Sequence, residues 1–148
     1  MGDITEVQQA KAWIYNALHA NSDIVAACGT RIYDSVVPVP PASRTYPLIV
    51  YNFMGGLDVN GLGTNRLQSQ PLFQVRTVTD IYPIPTAVRT LDKRITDVLG
   101  VAVYQLSGDW YFTARREQPI DRFEFDSATG KHYANLGGLF RLYIGKTV

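Results

Sequence analysis

Apolar positions in the first twenty residues recur every three or four places. Val7, Ala10, Ile14, Ala17 and Leu18 share one face of a helix, with Thr5, Gln9 and Asn16 opposite. Asp3 with Glu6, or Thr5 with Gln8, has capping-box spacing and predicts a start near Asp3. Trp13 falls at the edge of the stripe, where it suits a core margin or an anchor for a neighbouring subunit. Asn21-Ser22-Asp23 breaks the helix and can cap a short one over Ile24–Cys28, with Gly29 as its left-handed stop. A second amphipathic helix is predicted over Ile84–Leu99. Pro83 or Pro85 opens it, Ile84, Val88, Leu91, Ile95 and Val98 form its stripe, and Gly100 ends it. Arg89, Lys93 and Thr96 fall on its polar face.

Between and after the helices the pattern changes to strands. Arg31–Val37 is rich in β-favouring residues, and Leu48–Met54 follows as a strand that Gly55-Gly56 ends. Pro38-Val39-Pro40-Pro41 must lie outside a sheet interior, as a stiff loop or an arm on a neighbour. Leu72–Thr79 alternates, with Phe73, Val75 and Thr77 facing one way and Gln74, Arg76 and Val78 the other. Trp110–Arg116 and Asp121–Asp126 read as strands separated by Pro119, the second placing Phe123 and Phe125 on one face. Ser127–Gly130 is a turn. His132–Ile144 returns with Leu136, Phe140, Leu142 and Ile144 on one face, and Gly137-Gly138 marks a bulge or a close backbone approach. With no internal repeat, residues 1–148 form a single α+β domain.

Gly55–Gln70 fits neither period. It holds four glycines, two asparagines and little charge, so it is expected to be a long loop. Leu57, Val59 and Leu62 make it too apolar for a plain linker. A segment that orders on a partner suits this mixture, and a mobile hairpin tip is the alternative.

Composition narrows the function classes. Charged residues are 18% of the chain, below the usual ~25%, so part of the surface suits a partner better than bulk water. The net charge of +1 argues against non-specific DNA binding as the main task. Cys28 is the only cysteine, which rules out an intrachain disulfide, and with two histidines there is no Cys/His metal cluster. The N-terminus lacks signal-peptide and myristoylation patterns, and no apolar run approaches the ~18 residues of a membrane span. His19 and His132 have no nucleophile partner in a recognisable motif. Asp121, Glu124 and Asp126 cluster, with Glu124 and Asp126 on one strand face, a pattern that suits a solvated face and, less well, a cation. Gly61-Leu62-Gly63 lacks the third glycine of a dinucleotide loop and the Lys-Ser/Thr of a phosphate loop. The expectation is no catalysis, no metal and no cofactor.

Arg31-Ile32-Tyr33-Asp34, then Val37-Pro38, then Tyr46-Pro47-Leu48-Ile49, with the Val88–Leu99 helix and the hairpin around Thr129-Gly130 and His132-Tyr133-Ala134, resemble the tail-terminator (tail-completion) proteins of long-tailed bacteriophages. The resemblance runs in order over nearly the whole chain. It implies a mostly antiparallel sheet with two main helices packed on one face, and a homo-hexameric ring that caps the tail tube. Such a ring stops tube growth and docks the head–neck connector or stopper protein, at the head-proximal end of the virion tail. It is made in the host cytoplasm, binds no membrane, and lets genomic DNA pass its lumen unread. Leu57, Asp58, Val59, Asn60 and Leu62, with Phe123 and Phe125, are the expected contacts with a neighbouring subunit or the tube. The alternatives are a head–tail connector or stopper subunit and, in another class, a small-ligand-binding or enzymatic α+β domain.

Overall fold

The structure is a computed structural model that describes residues 6–37, 45–60, 66–81, 83–100, 105–107, 110–128 and 130–146. The order of elements is α1 (Glu6–Ala20), α2 (Ser22–Cys28), β1 (Ile32–Asp34), β2 (Leu48–Asn60), β3 (Arg66–Thr79), α3 (Thr86–Leu99), β4 (Gln105–Ser107), β5 (Trp110–Asp126) and β6 (Lys131–Lys146). The strands form one six-stranded sheet in the order β1-β2-β3-β6-β5-β4. Among the described residues only β1 and β2 pair in parallel, so the sheet is mostly antiparallel.

Register explains which face the helices cover. Phe73 pairs with Phe140, Val75 with Tyr51, and Phe112 with Ile144, so alternate residues of four strands point the same way. These side chains join Ala10, Ile14, Leu18, Leu91, Ile95 and Leu99 in one buried cluster. Val88 belongs to a smaller cluster with Ile84, Ala134 and Leu136. The stripes expected of α1 and α3 are therefore the core, against the face that carries Phe73. Val50 is buried on the opposite face, because its neighbours Ile49 and Tyr51 point toward the helices.

The short helix α2 begins earlier than expected because Asn21 caps it. The Asn21 side-chain oxygen accepts hydrogen bonds from the backbone N–H groups of Asp23 and Ile24, each at 3.1 Å. Pro85 sits at the N-cap of α3, one residue outside the helix, with no side-chain cap bond. The proposed start of α1 near Asp3, and the Pro38–Pro41 segment, lie outside the described residues.

Two expectations about the strands are corrected. Gly55–Gln70 is not a long loop. β2 continues through Gly55 and Gly56 to Asn60, paired with β3 from Leu57↔Gln70 to Asn60↔Arg66. A register shift between Phe53 and Gly55 leaves Met54 as a bulge and moves the alternation by one residue, which hides the strand from a simple period-two reading. Pro119 does not divide two strands either. β5 is continuous, with a bulge at Glu117 between Arg116 and Gln118. Beyond Phe112 no strand pairs with its outer side among the described residues, and proline is tolerated at such an edge.

The glycine pair in β6 is a close approach, and the bulge is on its partner strand instead. A Cβ on Gly137 would collide with the Val75 carbonyl, and one on Gly138 would stand 2.5 Å from Arg116 Nε. Gly138 thus makes room for Arg116 to run beneath α3. Its guanidinium donates to Thr96 Oγ1 (3.0 Å) and to the Gly137 carbonyl, and lies 3.9 Å from the Asp92 carboxylate.

Candidate functional site

Pairing leaves two stretches of strand edge open among the described residues. β1 covers β2 only at Ile49–Tyr51, so the same side of β2 is free from Asn52 onward. β4 covers β5 only at Trp110–Phe112. β2 and β5 run in opposite directions on opposite edges of the sheet: the free part of β2 runs to one end of it, whereas that of β5 begins near the row of Leu57 and runs to the other end, where Phe123 and Phe125 lie.

The edges differ chemically. The β5 edge carries Arg115, Glu117, Arg122 and Glu124 as well as Pro119, devices that keep an exposed edge from pairing. Arg122 and Glu124 satisfy each other at 3.4 Å. Glu117 takes a two-pronged hydrogen bond from Arg141, at 2.9 and 3.2 Å. That bond holds the Glu117 carboxyl below its ordinary value. The β2 edge from Asn52 to Leu57 has no charged side chain and no proline. Phe53, Met54 and Leu57 are exposed there. Phe53 packs edgewise on Phe73, with ring centroids 5.6 Å apart. Leu57 faces away from the helices because of the Met54 bulge, so the apolar groups straddle the edge.

At the far end of β5, Phe123 and Phe125 are both exposed and share the helix-side face. The Phe125 ring meets His132 across the hairpin, at 4.8 Å. Of the residues singled out in the sequence, the structure therefore brings Phe123 and Phe125 together and exposes Leu57, but at the opposite end. Asp58, Val59 and Asn60 have backbone places in β2, and Leu62 lies outside the described residues.

A virion chain has this fold. A chain described as "Virion of native gene transfer agent (GTA) particle" matches with a TM-score of 0.59 at 18% identity, over 91% of this chain and 93% of that one. A second solved chain, whose name states no function, matches with a TM-score of 0.55 at 12% identity, over 94% and 92%. At these identities the likeness is one of fold. No protein-family profile and no curated protein matches the chain.

The groups considered for chemistry are dispersed. Cys28 is buried, its thiol donates to the Ile24 carbonyl at 3.2 Å, and burial pushes its pKa up. That is the setting of an unreactive core thiol. His19 Nδ1 lies 2.9 Å from the Tyr15 carbonyl. Glu124 faces Arg122 and, at 3.9 Å, Arg76. Among the described residues no three His, Cys, Asp or Glu side chains are grouped to hold a metal. No helix of the described residues is long and apolar enough to cross a membrane.

The sheet face away from the helices holds a cleft of about 380 Å³ that sequence reasoning missed. Tyr46, Leu48, Val50, Val78 and Tyr133 form its apolar walls, and Arg76, Glu124 and Asp126 line it too. The Arg76 guanidinium donates to the Asn135 side-chain oxygen. Burial lowers the Arg76 pKa, and Glu124 opposes that shift. The signal for this cleft is the placement of Arg76 and Val78 on the face of β3 opposite the core.

Glu117→Gln tests the Arg141 contact. It should reduce stability by no more than about 0.2–1 kcal/mol at pH 7, because the pair is partly solvated. The Glu117 pKa is depressed in the fold, so its contribution is present above the ordinary carboxylate value and fades as pH falls through the folded one. Urea titrations of both proteins from pH 7 to pH 3 should show the gap closing on the acid side.

Proposed function

We propose that this chain is a structural virion protein, a tail terminator that works as a ring of six copies and has no catalytic role. The observation that carries the reading is the fold shared over nearly its whole length with a chain from a gene transfer agent virion. The sequence resemblance to tail terminators points the same way. Its most specific residues, Arg31–Asp34, Val37-Pro38 and Tyr46–Ile49, include β1 and the start of β2. Open strand edges and exposed aromatic groups fit a chain that completes its surface by assembly. The ring would cover the last ring of the tail tube, end its growth and offer the connector a new surface. DNA would pass its lumen unread.

Tail tubes assembled with and without the chain test this. Without it, tubes should grow past their normal length, and adding the purified protein should stop growth. Tails of normal length that fail to join heads would instead assign the chain to the connector or stopper. The cleft around Arg76 favours a second reading, as a ligand-binding domain, since its size is within the ~300–1,000 Å³ of small-molecule sites. That reading requires a chain that neither alters tail tubes nor joins with its own copies.

A further inference from the structure

We infer that the free β2 edge of one copy, at Phe53, Met54 and Leu57, seats against the end of β5 in the next copy, at Phe123 and Phe125 with nearby Ile81. The inference rests on the ring reading and names the surfaces that build the ring. Both trios are exposed: Phe53, Met54 and Leu57 at 42%, 51% and 64%, and Ile81, Phe123 and Phe125 at 57%, 51% and 60%. Ile81 follows the end of β3, where Thr79 and Phe123 flank Ala134 on either side of β6.

The trios match in size. At about 200 Å² for a large side chain, each leaves roughly 300 Å² open to solvent. That is a sizeable share of the ~800 Å² each partner gives to a standard interface, and it would form the apolar centre of one. Neither trio contains a charged side chain, so the apolar centre of the contact holds no ion. Their positions set the symmetry. Phe123 and Phe125 lie on the opposite edge strand from Phe53, Met54 and Leu57, and they and Ile81 lie at the opposite end of the sheet, so one chain cannot bring the two trios together. A two-fold dimer that buried one trio on itself would leave the other exposed. A head-to-tail contact buries both at once, and such a contact repeats until it closes into a ring. Among the described residues the uncharged β2 edge also has no strand paired to it from Asn52 onward, whereas the β5 edge is blunted by charges and Pro119. The chain therefore docks through side chains at the Phe123–Phe125 end, without extending the sheet along the whole of β5.

Chains with one added cysteine read this contact. Cys28 is buried and hydrogen-bonded, so it does not compete for a short bis-maleimide linker. A mixture of Leu57→Cys and Phe125→Cys chains should cross-link as a one-to-one pair and stop there. A chain carrying both substitutions should give a ladder ending in a closed ring. Leu57→Cys or Phe125→Cys that cross-links chiefly to itself would overturn the head-to-tail contact. So would a mixture with no cross-linked pair at concentrations where the unmodified chain is multimeric. An unmodified chain that stays monomeric at every concentration and on tail tubes would instead overturn the ring reading itself.

Discussion

Phe73→Ala should reduce folding stability by about 3–5 kcal/mol, the range for removing a large aromatic side chain from a core. Phe73 is fully buried in the central strand β3, pairs directly with Phe140, and lies in the cluster that α1 and α3 cover. It pairs with Phe53 of β2 and Phe140 of β6 in a cluster that the helices complete, so the cavity cannot collapse by moving a single element. Chemical denaturation at neutral pH measures the loss. A change below about 0.5 kcal/mol would be that of a surface position and would mean that the helices do not pack on this face.

Arg116→Met has the second large effect, and its pH dependence identifies the cause. The Arg116 side chain ties the sheet to α3 through Thr96 Oγ1 and the Gly137 carbonyl, and it is the cation beside Asp92. The Asp92 side chain is only 15% exposed. Removing one member of a buried pair typically costs about 3–5 kcal/mol because a charge is left behind, and the residual solvent access here favours the lower end. Burial already pushes the Asp92 pKa up, Arg116 opposes that shift, and Asp121 adds to it. Without Arg116 the pKa should rise further. The folded state then binds a proton more tightly than the unfolded chain, so stability increases as pH falls through the folded value toward the ordinary one. Denaturation from pH 7 to pH 4 should show the variant recovering part of its loss. A loss independent of pH would mean that packing and the Thr96 bond, not the charge on Asp92, account for it.

Which parts of this structure could be read from the chain follows from how local their causes are. The stripes Ile14–Leu18 and Val88–Ile95 are buried because helix periodicity is set within each segment. The alternation of Phe73, Val75 and Thr77 likewise predicts their common face. Bulges are different. The extra residues at Met54 and Glu117 are fixed by pairing with distant strands, so β2 looked shorter than it is and β5 looked broken at Pro119. Thr96 falls on the polar face of α3, yet it is half-buried, because an arginine from β5 reaches it through space that Gly138 leaves free. The glycine pair was visible in the sequence, but its tenant was not. Leu57, Phe123 and Phe125 are exposed. Their separation to opposite ends depends on the order of strands in the sheet, which no local pattern contains.

Copies of this chain are proposed to close a ring where the tail meets the head. An averaged image of the head-proximal tail end in the assembled particle tests it most directly. The expected result is a ring of six copies around the DNA channel, with Leu57 of each copy against Phe123 and Phe125 of the next. A single copy at that end, or no density for the chain there, would contradict it.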